Sequence, residues 1–76
     1  MCAKEFIKVY KYCYNRIDFE KFAKLFGAIY EQHDENYLME KFTNFQKDIG
    51  GFLVKHPEFL ENVCIIIKQE GYNGWM

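Results

Sequence analysis

Four groupings in the chain have residue types that could do chemistry. His33 stands among Glu31, Asp34 and Glu35, a set of nitrogen and oxygen donors of the kind that takes a divalent cation. Cys2, Cys13 and Cys64 are potential nucleophiles, and His33 and His56 are the bases that could activate them. The run Ile49-Gly50-Gly51-Phe52, with His56-Pro57 shortly after it, offers bare backbone of the sort that cradles phosphate. Lys4, Lys8 and Lys11 fall on one narrow helical stripe, followed by Arg16 and Lys21, and could meet the phosphates of a nucleic acid.

Spacing argues against the first three. Neighbouring residues in a turn do not converge as ligands, and the chain has no Glu-x-x-His or His-x-x-x-His pair, so no metal is expected. Neither histidine is next to a cysteine, the chain has no serine, and no nucleophile elbow is present, so no catalytic set and no cofactor is expected. The glycine pair lacks the Gly-x-x-x-x-Gly-Lys-Ser/Thr spacing of a phosphate loop and follows no strand-like run. The lysine stripe lacks the Arg, Asn and Gln that read base edges, which leaves it equally suited to acids on a protein.

The elements that position these residues are helical in period. Phe6, Val9, Tyr10, Cys13, Tyr14 and Ile17 share one side of a helix over 3–15, with the lysine stripe opposite. Asp18 caps a second helix, 19–32, whose inner face is Phe19, Phe22, Leu25, Phe26, Ile29 and Tyr30. Asp34 caps a third, with Leu38, Phe42, Phe45 and Ile49 spaced four, three and four apart. Carrying that count through Gly50 and Gly51 returns Phe52 and Leu53 to the inner face, so one helix over 35–54 is expected, kinked at most, with the glycines outward. On that reading Gly51→Ala leaves the fold at least as stable while weakening any partner that needs the bare backbone. Pro57 starts the last helix, 57–70, with His56 as its cap residue; Phe59, Leu60, Val63, Ile66 and Ile67 line its inner side and Gly71 stops it. The run Val63–Ile67 has strand propensity, but a lone strand has no partner in this sequence.

Composition bounds what such helices can build. A chain of 76 residues makes one domain with one small core and buries only roughly 60% of its unfolded surface. Eight Phe and six Tyr are a heavy aromatic load for so small a core, which favours self-association or a protein partner. Net charge is −1 but segregated: residues 1–30 carry six Lys/Arg against three Asp/Glu, residues 31–76 four against eight. Near-neutrality disfavours sequence-independent nucleic-acid binding. No apolar run reaches the ~18 residues of a membrane span, and Met-Cys-Ala-Lys-Glu at the start lacks the apolar stretch expected of a secretory leader. Three widely spaced cysteines fit reduced thiols in a cytoplasm, and nine Lys to one Arg is the usage of an AT-rich genome.

The expectation is therefore an all-α protein, a small antiparallel bundle of three to four helices in one domain over 1–76, with 71–76 as a C-terminal tail. It is expected to be a non-enzymatic, cytoplasmic, protein-binding regulator, adaptor or inhibitor, acting on a partner or as a homodimer. A phage or mobile-element protein acting on a host factor is its concrete form. The residues left for a partner once the core is assigned are Lys4, Lys8, Lys11, Glu31, Asp34, Glu35, Tyr37, Gly50, Gly51, Ile65 and Trp75, with Tyr12 at the edge of the lysine stripe. The alternative is a nucleic-acid-binding protein using the basic face of the first helix.

Overall fold

The computed structural model describes residues 3–72, which form five helices and, among the described residues, no strand. They are α1 (Ala3–Arg16), α2 (Phe19–Tyr30), α3 (Glu35–Lys47), α4 (Ile49–Lys55) and α5 (Pro57–Glu70). The starts follow from capping chemistry. Asp18 Oδ1 accepts from the Lys21 amide at 2.9 Å, and Asp34 Oδ1 accepts from the Asn36 and Tyr37 amides at 2.9 and 3.3 Å. Pro57 supplies the first turn of α5, where its missing N–H costs nothing. Gly71, at φ 70°, closes α5 in the left-handed conformation that glycine adopts without a steric penalty.

The expected helix over 35–54 is two helices. The break is at Asp48, whose backbone (φ −153°, ψ 82°) leaves the helical region and whose carboxylate accepts from the Gly51 amide at 3.0 Å. An aspartate that bonds its own downstream amide offers the chain an alternative to helix continuation, and this local bond outweighs the apolar register that runs through it. The glycines are thus the first turn of α4. A Cβ on Gly51 would collide with the Asp48 carboxylate, so Gly51→Ala exchanges about 1 kcal/mol of helix propensity for a cap bond of similar size.

All five helices contribute to one continuous core. Its hub is Phe22, fully buried, with the rings of Phe26, Phe42, Phe45, Phe52 and Phe59 at centroid distances of 5.1–5.7 Å. Offset and edge-on aromatic pairs at this range add about 0.5–1.5 kcal/mol each beyond area burial, so a single α2 residue ties α3, α4 and α5 together. The aromatic load is mostly absorbed here.

Helix α1 joins this core with the expected Val9, Cys13 and Ile17, and Phe6 packs against it, but the buried face is shifted so that Tyr12 enters and Tyr10 and Tyr14 leave. Val9, Tyr12, Cys13 and Ile17 are buried, whereas Tyr14 is 73% exposed and Tyr10 and Ile7 are also exposed. Tyr12 is therefore core rather than surface. Its ring packs edge-on against Tyr72 at 5.2 Å, and its hydroxyl reaches the rim, donating to Glu70 at 3.1 Å and accepting from Lys21 Nζ at 2.8 Å. A tyrosine with its body buried and its tip in a polar rim satisfies both halves of the side chain, which the apolar periodicity of Tyr10 and Tyr14 could not outweigh. Tyr72 is buried as well, beneath the Arg16 guanidinium at 5.4 Å, so the expected tail is anchored at its first residues.

Candidate functional site

The shift of α1 leaves Tyr10 and Tyr14, expected inside, in solvent. Ile7, Tyr10 and Tyr14 lie three and four residues apart on one exposed face of α1. Gly50 of α4 faces them: its Cβ position is 3.9 Å from Tyr10 Cε2, so the tyrosine ring lies across bare backbone. One turn on from Gly50, Val54 is 70% exposed. The Tyr10–Gly50 contact joins α1 to α4, with Ile7 and Tyr14 one turn either side of Tyr10 and Val54 one turn from Gly50; these side chains are termed the α1–α4 seam, and exposed Lys11 and Lys55 are next to Tyr10 and Val54 in the chain.

A groove of about 320 Å³ lies between α1 and α5. Its floor is Cys64, Ile65 and Ile67, and its rim carries Glu5, Lys8, Glu61 and Lys68. Lys8 and Ile65, separate in the sequence reading, meet here. The lysine stripe is consequently not a uniform basic face, since Lys8 shares its groove with two carboxylates.

A second cleft, of about 420 Å³, opens where α3 hands over to α4. Lys41, Asn44 and Lys47 line it from α3, Phe52 and Lys55 from α4, and His56 from the link to α5. His56 makes no side-chain cap bond to α5; its ring packs at a tilt on Phe52 at 4.3 Å and meets Phe26 and Tyr30 edge-on at 5.6 Å. Tyr30 donates to Glu58 Oε2 at 2.7 Å, and His56 Nδ1 lies 3.3 Å from the same hydroxyl. With the hydroxyl proton on the carboxylate, the Tyr30 oxygen is free to accept from an Nδ1–H of His56. Burial, then the charge of Lys41, holds the His56 pKa below its ordinary 6.5, with Glu58 opposing and Lys55 adding to the depression. Burial and the Glu58 bond push Tyr30 to about 12, and the Tyr30 bond lowers Glu58.

The sequence-named residues divide by role. Asp34 caps α3, Glu35 is in its first turn, and Glu31 sits at φ 54°, closing α2. All three are exposed, with Glu40, as an acidic edge of the α2–α3 link. Tyr37 rests against Phe26 at 6.3 Å with Lys41 Nζ 5.3 Å over its ring. Gly50 and Gly51 are half-buried rather than outward-facing. The Lys4 side chain and Trp75 lie outside the described residues. Burial, and the charge of Cys64, push the Cys13 thiol up to about 12; burial also raises Cys64, so neither is primed as a thiolate. No group of three or more His, Cys, Asp and Glu among the described residues could hold a metal ion, and none of their helices is long and apolar enough to cross a membrane. The Lys41/Lys47/Lys55 cleft was missed because those lysines sit in the half of the chain whose summed charge is negative.

Set against protein-family models, the curated proteins and the solved structures, the chain matches none of them.

Proposed function

We propose that this chain is a small non-enzymatic regulator or inhibitor that works by binding another protein through the α1–α4 seam. The observation that carries the reading is the exposure of Ile7, Tyr10, Tyr14 and Val54, where the described phenylalanines are all buried or half-buried. Tyrosines of this kind anchor interfaces because they bury large area while losing few rotamers. The margin of Lys11 and Lys55 selects a partner whose apolar contact surface is edged by acids. A second copy of the same seam would set like charges against each other. A different protein is therefore the preferred occupant, in a reducing cytoplasm that keeps Cys13 and Cys64 as thiols. A host factor met by a mobile-element protein is one setting that the Lys-rich, Arg-poor usage supports.

The experiment pairs capture from the native source with reconstitution. Wild type is expected to recover a partner that rebinds the purified chain at fixed stoichiometry and is lost with Tyr14→Glu and with Val54→Glu, both folded by circular dichroism. A partner retained equally by both variants, or a homodimer in sedimentation that both variants disrupt, would overturn it.

A further inference from the structure

We infer that the cleft between α3 and α4 is a binding site for a small, multiply charged oxyanion of the phosphate class. Lys41 and Lys47 approach it from α3 and Lys55 from α4, with His56 and the Asn44 amide beside them. Among the described residues none of these three ammonium groups is in an ion pair, whereas Lys21 pairs with Glu70 and Lys24 with Glu20 on other surfaces. The single acid of the lining, Asp48, holds the Gly51 amide and does not reach a lysine. Three cations without a carboxylate partner, one of them (Lys41) resting over the Tyr37 ring, border one concavity and gain most from a shared anion. Helix dipoles account for Lys47 and Lys55, which sit in the last turns of α3 and α4, but not for Lys41, in the middle of α3.

The cation type and number indicate the anion. One carboxylate would neutralise a single lysine and is best matched by the planar fork of arginine, which this cleft lacks. Point-charge ammonium groups arriving from two helices suit a tetrahedral oxyanion that presents oxygens in several directions. About 420 Å³ also exceeds what inorganic phosphate fills, so there is room for a second phosphate or a small organic substituent against the Phe52 and His56 rings. The inference stands on different residues from the protein-binding seam, Lys55 apart.

The groups facing His56 are Tyr30 from α2, Lys41 from α3, Lys55 from α4 and Glu58 from α5. An anion among the lysines screens the cations that oppose protonation of the ring, so binding raises the His56 midpoint. The test is titration with sodium pyrophosphate near pH 6.5, the ordinary histidine midpoint, following the imidazole C2–H resonances of His56 and His33 by NMR. His33, exposed on the α2–α3 link, serves as the internal control. The expected result is saturable movement of His56 alone, with affinity about tenfold weaker in Lys41→Gln and in Lys47→Gln. Lys24→Gln, on the outer face of α2, leaves it unchanged. Asp48→Asn, which keeps a capping side chain, tightens it. Equal movement of both histidines, no saturation, or equal weakening by Lys24→Gln and Lys47→Gln would overturn the site, whatever the seam binds.

Discussion

Gly27→Ala puts the packing logic of α2 at risk in one methyl group. Gly27 is buried on α2, and its carbonyl accepts from both the Glu31 amide and, at 3.1 Å, the Gln32 amide, which wraps the chain back over the helix end. A Cβ on Gly27 would lie 2.7 Å from the Gln32 carbonyl oxygen, a backbone atom that can retreat only by loosening that wrap. Overpacking of this kind costs about 1–3 kcal/mol, and weakening one of the two bonds adds about 1 kcal/mol. Alanine returns at most about 1 kcal/mol as a better helix former. The net is a loss of about 2 kcal/mol, and each kcal/mol moves the midpoint of a domain this size by about 4–8 °C, so thermal unfolding by circular dichroism should fall by about 8–16 °C. Glu31→Gly is the mirror control. It relieves a non-glycine residue held at φ 54° and should raise stability by about 1 kcal/mol through the same helix end. A Gly27→Ala midpoint equal to or above wild type would refute the close approach of Gln32 and with it the described end of α2.

Other outcomes follow from the same structure. Asp48→Ala removes the side-chain cap of α4 and should cost about 1 kcal/mol, with amide-exchange protection falling first at Phe52 and Leu53, whereas Asp48→Asn should retain both. The folded-state pKa of His56 is depressed, so the unfolded chain binds that proton more readily; its contribution to stability is intact above about pH 6.5 and is lost as pH falls through the lower folded value. Urea midpoints should therefore decline from about pH 7 to pH 5 in wild type and stay flatter in His56→Gln. Glu58, also depressed, acts in the same sense below its ordinary 4.5 and lies outside that window.

How much of this was legible depends on the range of the interaction. Asp18, Asp34, Pro57 and Gly71 set helix ends through bonds or dihedral limits within four residues, so sequence placed those boundaries to within one or two positions. Asp48 has the same local chemistry, but the apolar count running past it gave the stronger signal, and one helix was read where there are two. The polar stripe Lys41, Asn44, Asp48, Gly51 and Lys55 is visible at spacings of three, four, three and four. That it borders a cleft is not visible, because the concavity is made by the break at Asp48.

Sequence alone determined that the chain is helical, where most helices begin and stop, and that a cluster of phenylalanines forms the core, because capping, proline and the 3.6-residue repeat act between near neighbours. Tertiary structure decided which face of α1 is buried, since α4 and α5 both pack on that helix and Tyr12 finds Lys21 and Glu70 only across the fold. It also decided that Tyr10 meets Gly50 across α1 and α4 and that three lysines share one cleft. These are relations between residues distant in the chain, and no local preference encodes them.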